Sequence, residues 1–299
     1  MGVMPEVVKI DESDVLSDDI QKIDVDAVLK GKNPRLYRWI PAWLIGRLKG
    51  LVHQDELNGF LTRHKDKMGL DFVRACLNDF HVHIKVKGAE NLPEGSRFVV
   101  ASNHPLGGLD GLALMQAVGD FRPDLVFPVN DLLMYIPNMK PLFLPINKHG
   151  RNTSLSRLLD DTFNGSKAVL YFPAGLCSRR QGNEVLDLEW KKTFITKAKQ
   201  YQRDIVPVHI DGANRAFFYN IARLRVWLGI KANIEMLFLP DEMFRQKGKT
   251  ITITFGKPIS WKIFSPDISD GQWASSMRKY IYRLGADSGA IFEGQEQVK

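Results

Sequence analysis

A chain of 299 residues with 44% apolar and 25% charged side chains can bury a core of its own, which excludes a disordered or fibrous protein. Its formal net charge of +7 favours an anionic partner, and the lack of zinc-finger spacing or an RNA-binding aromatic signature argues against nucleic acid. Two cysteines, Cys76 and Cys177, make no disulfide framework and fit a reducing compartment.

The N-terminus, "MGVMPEVVKIDESDVLSDDI", is acidic where a secretion signal would be basic and then apolar, so no leader is expected. A short helix reads at "SDDIQKIDVDAVLK", then helical segments at about 36–50 and 53–65, then another at "GLDFVRACLNDF". No uninterrupted apolar run of about 18 residues exists, so no transmembrane helix is expected. The nearest is "LYRWIPAWLIGRLKGLVH" (36–53), where Arg38, Arg47 and Lys49 sit among aromatics and aliphatics. It reads equally as a helix lying in a membrane interface and as an amphipathic helix packed on the domain.

At "HVHIKVKGAENLP" the apolar period changes to two, and from there strands and helices alternate. Strands are expected there and at "SRFVVASN", "LVFPVN", "KAVLYFP", "DIVPVHI", "NIEMLFL" and "TITITFG". Helices are expected at "GLALMQAVG", "SLSRLLDDTF", "LEWKKTFITKAKQ", "NRAFFYNIARLRVWLG" and "DGQWASSMRKYIYRLGAD". Such alternation indicates an α/β protein with a mixed, mostly parallel sheet and helices on both faces. Residues 1–80 are expected to form an N-terminal helical region, either membrane-interfacial or packed on the domain, and 81–299 the α/β domain. Nothing in the pattern sets an oligomeric state.

Sites in such sheets gather where strand ends meet helix starts. The stretch "VVASNHPLGGLDGLALMQAVG" (99–119) puts His104 at a strand end and Asp110 at a helix start, across Pro105, Gly107 and Gly108. A His–Asp pair in hydrogen-bonding reach is a general-base unit; the competing reading has Asp110 capping the helix and His104 merely packed. Three more strand ends carry cations: "FLPINKHGRNTSLSRLL" with Lys148, His149 and Arg151, "LYFPAGLCSRR" with Arg179 and Arg180, and "DIVPVHIDGANR" with Arg215. Paired arginines can clamp a phosphate or carboxylate, and cations at a helix start favour an anion. Cys177 reads as a buried small residue, and His81 and His83 lack further ligands for a metal. Ser102 lacks a nucleophile elbow, and "GGLDG" lacks dinucleotide spacing.

Together these four segments resemble the motif blocks of the glycerolipid acyltransferase family, of the lysophosphatidate acyltransferase type, over about 85–260. That family carries Asn-His, four residues, then Asp, and later Phe-Pro-Glu-Gly-Thr-Arg-Ser. Here five residues separate His104 from Asp110, and "NHPLGGLDG" is closer to a bacterial branch with hemolysin-like and aminolipid acyltransferases. Ala174 stands where the family has a Glu associated with acceptor binding. That change turns attention from lysophosphatidate towards a lyso-aminolipid such as a lyso-ornithine or lyso-glycine lipid.

The resemblance implies a membrane-associated acyltransferase of lipid biosynthesis. It would move a fatty acyl group from acyl-CoA or acyl carrier protein, a co-substrate and not a cofactor, to the hydroxyl of a lysolipid. His104 would be the base, Asp110 its orienter, and backbone N–H groups near the glycine turn would meet the oxyanion. Asn103, Gly107, Gly108, Lys148, Arg151, Gly175, Ser178, Arg179 and Arg180 would line the substrate site. The basic charge would hold the enzyme, peripheral or monotopic, on the cytoplasmic face of the membrane. "RAFFYNIARLRVWLGIK" reads either as part of that contact or as a core-packing helix with a solvated basic face. N-acylation of an amino acid, thioester hydrolysis and non-catalytic lipid binding are the rival readings.

Overall fold

The computed structural model describes residues 22–95, 97–145 and 153–294. Before the first strand come α1 (Val25–Lys32), α2 (Pro34–Tyr37), α3 (Ala42–Leu51), α4 (Gln54–Arg63) and α5 (Gly69–Asp79). The 36–53 segment is not one helix. Pro41, with no N–H to donate, lies in extended backbone immediately before α3 and separates it from α2. Ile45 of α3 is buried, while Trp39 and Trp43 face solvent. Among the described residues no helix is long and apolar enough to cross a membrane.

The main sheet has the order β1 (His83–Lys87), β9 (Thr250–Phe255), β8 (Asp204–Ile210), β2 (Phe98–Ser102), β5 (Ala168–Tyr171), β3 (Leu125–Val129), β4 (Phe143–Pro145). Neighbours are parallel except β8 and β9. The sheet is therefore mixed and mostly parallel, as expected. Strands β2, β3, β4, β5 and β8 all direct their C-terminal ends to one edge.

Side chains alternate across the sheet. Phe98 and Val100 of β2 join an apolar cluster with α5 and α6 (Leu109–Gly119). Val99 and Ala101 join a second cluster with α8 (Thr193–Gln200) and α11 (Asp270–Ala286), while α7 (Thr153–Asn164) adds Phe163. On α11 a Ser269–Gln272 capping box fixes the start, and Trp273, Met277, Tyr280, Ile281 and Leu284 form its buried stripe. The first cluster also takes in Phe60, Leu61, Phe72, Val73 and Leu77, so the N-terminal helices share the core of the sheet. Helices α5 and α6 approach so closely that a Cβ on Gly119 would sit 2.6 Å from Leu70.

Two expectations change. "NIEMLFL" is a 3₁₀ turn (Ile234–Phe238) leading into α10 (Leu239–Phe244), not a strand. It has no ladder partner; Glu235 is buried against Arg179 and Arg225, and Met236, Phe238 and Leu239 pack on Cys177, Phe218 and Tyr219. Together with α9 (Ala216–Trp227) it forms a lobe between β8 and β9. The Arg179–Arg180 pair lies not at the end of a strand but within a further one, β6 (Arg179–Gln181), which forms an antiparallel hairpin with β7 (Glu184–Leu186). Gly182, at φ +61°, makes that two-residue turn possible.

Candidate active site

His104 leaves the C-terminal end of β2 at the sheet edge where the parallel strands end. Its ring is stacked on Phe172 at the end of β5, with centroids 4.1 Å apart. Nδ1 lies 3.0 Å from Oδ2 of Asp110. Asp110 is fully buried at the start of α6, and the imidazole is mostly buried beside it. The same Oδ2 accepts from the N–H groups of Leu106 (2.7 Å) and Gly107 (3.2 Å), and Oδ1 accepts from Gly111 (2.9 Å). A carboxylate used wholly as acceptor assigns the Nδ1 proton to His104, so Nε2 presents a lone pair. Asp110 thus closes the glycine turn onto itself and orients the imidazole in one arrangement.

The turn needs its glycines. Gly107 is at φ +90°, and a Cβ there would also fall 2.9 Å from Leu239 of α10. Gly108 is exposed, with Met243 of α10 nearby. Since Leu106 and Gly107 donate to Asp110, these two N–H groups are not directed at a substrate oxyanion.

The backbone of His104 is held separately. Its N–H donates to Oδ1 of Asp187 (3.1 Å), and its carbonyl accepts from the N–H of Ser178 (2.7 Å). Ser178 Oγ donates to the same Asp187 oxygen (2.6 Å), and Trp190 Nε1 donates to Oδ2 (2.8 Å). Burial pushes the Asp187 carboxyl above its ordinary value, opposed by the hydrogen bonds from Ser178 and Trp190. The N–H of Asp187 donates to the Tyr282 hydroxyl and its carbonyl accepts from Arg278, tying this residue to α11. Sequence reading missed Asp187. "VLDLEW" carries no local signature, and only the tertiary fold brings it to His104.

The other expected site residues divide. Asn103 is buried with its amide spent on both backbone groups of Ile210, at 2.8 and 2.7 Å, continuing the β2–β8 ladder past its end. It braces the strand end instead of facing a ligand. Ser178 is likewise committed to His104 and Asp187. Arg179 is buried, donating to Glu235 (2.8 Å) and to the Cys177 carbonyl (2.6 Å), so its guanidinium is held by protein. Arg180 is exposed on the hairpin. Gly175, at φ +65°, makes the turn after β5, and its N–H bonds the Phe172 carbonyl. The ammonium of Lys191 lies 3.5 Å from where a Cβ on Gly175 would stand, making Lys191 a cation of this turn that the sequence reading passed over. Lys148 and Arg151, with His149, lie outside the described residues.

Cys177 is fully buried, and burial pushes its thiol up to about 11, which removes it as a nucleophile. His81 sits at φ +50° just before β1, which begins at His83, and no group of three potential metal ligands occurs among the described residues.

The model of the family described as "Acyltransferase" matches residues 27–287. The chain is 46% identical over 269 residues to a lyso-glycine lipid O-acyltransferase of Bacteroides thetaiotaomicron, covering 89% of this chain and 99% of that one. A lyso-glycine lipid O-acyltransferase of Phocaeicola vulgatus is 45% identical over 269 residues, covering 89% and 96%. The crystal structure of the 1-acyl-sn-glycerophosphate acyltransferase PlsC from Thermotoga maritima aligns with 83% of this chain and 94% of its own, at 16% identity and a TM-score of 0.45. With a family match running from α1 to the end of α11, through the His104 turn and the hairpin that braces it, this chain belongs to the acyltransferase family and is an enzyme.

Proposed function

We propose that this enzyme transfers a fatty acyl group from a thioester to the hydroxyl of a lyso-glycine lipid. The observation that carries the reading is the near full-length similarity to two enzymes of that name. The geometry at His104 supports the chemistry. Nε2 takes the acceptor hydroxyl proton as that oxygen attacks the thioester carbonyl, while Asp110 holds Nδ1–H and steadies the imidazolium. Collapse of the tetrahedral intermediate breaks the C–S bond, and the departing thiolate recovers the proton from Nε2. The thioester is already activated, so no acyl-enzyme is needed. Acyl-CoA or acyl carrier protein serves as donor.

The acceptor's head supports the same reading. An N-acylated glycine ends in a carboxylate. Ala174 removes a negative side chain from the turn after β5, and Lys191 brings an ammonium over Gly175. A carboxylate there meets a cation instead of a like charge. The enzyme works as a peripheral protein on the cytoplasmic face of a membrane, held by its positive charge and supplied with acceptor from the lipid.

The test is mass spectrometry of products from the purified protein and its His104→Ala variant. Each receives acyl-CoA or acyl carrier protein with lyso-glycine lipid, lysophosphatidate, lyso-ornithine lipid or free glycine. Diacylated glycine lipid formed only by the parent supports the proposal. Product from lysophosphatidate alone overturns the acceptor, and free fatty acid without acceptor makes the protein a hydrolase. Undiminished transfer by His104→Ala overturns the mechanism.

A further inference from the structure

The lobe between β8 and β9 exposes apolar side chains that a packed helix would bury. Helix α9 turns Phe218, Tyr219 and Ala222 inward. Ile221 is half-buried and Phe217 packs on Phe238, but the apolar residues of the last turns face solvent: Leu224 is 53% exposed, Val226 66% and Trp227 81%. Leu228 and Ile230 follow, also exposed. The helix stops there because Gly229 adopts φ +67°. The N–H of Ile230 bonds the Arg225 carbonyl and that of Gly229 the Val226 carbonyl, a closing turn that gathers Trp227, Leu228 and Ile230 at one tip. A contiguous apolar tip on an otherwise charged protein marks a contact surface.

Charge identifies what it contacts. From Ala216 to Ile234 the chain has no acidic residue, and Arg223 and Lys231 are exposed on either side of the tip. Arg225 instead turns inward to the buried Glu235, which also holds Arg179, so the lobe is anchored to the β6–β7 hairpin by a buried ion triad. A tryptophan with aliphatics, flanked by cations and fixed to a rigid base, is the chemistry of an anionic lipid interface.

We propose that the α9 tip is a membrane-docking element of this enzyme, with Trp227, Leu228 and Ile230 entering the acyl boundary and Arg223 and Lys231 meeting anionic headgroups. The inference rests on the lipid-acceptor reading above and adds the surface that reaches the lipid. Docking here bears on the site directly. Leu239, from the same lobe, stands against Gly107 of the His104 turn, which ties the lobe to the proposed site.

The experiment is co-sedimentation with phosphatidylcholine vesicles, with and without phosphatidylglycerol. It compares the parent, Trp227→Ser/Leu228→Ser and Arg223→Glu/Lys231→Glu. All positions are exposed, and circular dichroism checks that each variant is folded. The parent is expected to bind the anionic vesicles, with affinity at least tenfold lower in both variants, and brominated lipid is expected to quench a tryptophan emission in the parent that Trp227→Ser/Leu228→Ser lacks. Acyl transfer to a short-chain, monomeric acceptor is expected to be unchanged in the variants. Equal vesicle binding by parent and variants overturns the proposal. So does a parent that is dimeric in solution with variants that are monomeric, which would make a second copy the occupant. Vesicle binding is read without turnover. If the parent acylates no lysolipid, the functional reading fails while the docking result stands.

Discussion

At His104 two hydrogen-bonding systems meet, one fixing the ring and one the peptide on either side of it. The first comes from Asp110, six residues away; the second comes from Asp187 and Ser178 on the far side of the β5 turn. Removing the Asp187 carboxylate leaves the His104 N–H and the Trp190 N–H without a buried acceptor, while the Ser178 hydroxyl keeps only the His104 carbonyl. Each unsatisfied group costs about 1–3 kcal/mol. Asp187→Ala is therefore expected to lower both the melting temperature and kcat. Asp187→Asn keeps an oxygen for His104 but turns an N–H group toward one of the other donors. It is expected to retain the fold while lowering kcat roughly tenfold with KM little changed, the signature of a misplaced base. A second expectation concerns Lys191. Lys191→Ala should raise KM for an acceptor ending in carboxylate about tenfold while sparing kcat, read by steady-state kinetics on matched acceptors with and without that group. His104 and Asp110 were legible in sequence because a glycine turn joins them locally. Asp187 and the bracing role of Asn103 were not, because their partners are distant in the chain.

Among the elements, β8 and α11 pack closely. A Cβ on Gly285 would lie 2.5 Å from the His209 ring, so the helix lies almost on the strand. Gly285→Ala is expected to force the two apart and destabilise the fold by about 1–3 kcal/mol, measured by thermal or urea unfolding. His209 itself carries a pH dependence. Burial lowers its pKa below the ordinary 6.5, opposed by the charge of Asp211. Between the lowered native value and 6.5 the unfolded chain holds more protons, so stability falls as pH drops through that window. A melting series from neutral to mildly acidic pH should show this decline, flattened in His209→Gln. At this scale the sheet and its helices were mostly legible from period and turn residues. The β6–β7 hairpin carried its signal in Gly182-Asn183, which went unused. "NIEMLFL" misled because its aliphatics suit a strand, while the buried charge of Glu235 fastens it to Arg179 and Arg225 outside the sheet.

For the whole molecule, the division at residue 80 is one of secondary structure. Phe60, Leu61, Phe72, Val73 and Leu77 share a single apolar cluster with Leu109, Leu114 and Leu170. A fragment of 81–299 would expose that face of α6 and the sheet. It is expected to be insoluble or to bind a hydrophobic dye, while the full chain unfolds in one calorimetric transition. Charge was legible at this scale from composition, but its address was not. The sequence allowed "RAFFYNIARLRVWLGIK" to be a core helix, and only the structure shows Phe218, Tyr219 and Ala222 buried while Leu224, Val226, Trp227, Leu228 and Ile230 face outward.

The edge strand β1 has one neighbour in the sheet, β9, the last strand among the described residues. During synthesis β1 and the helices before it leave the ribosome early, yet their ladder partner arrives only after the lobe has been made. Closing so long a loop is slow, and an open strand edge invites pairing with other chains in the meantime. The nascent chain therefore passes through an interval in which the His104 turn can already be assembled on β2 while its first strand still waits for a partner.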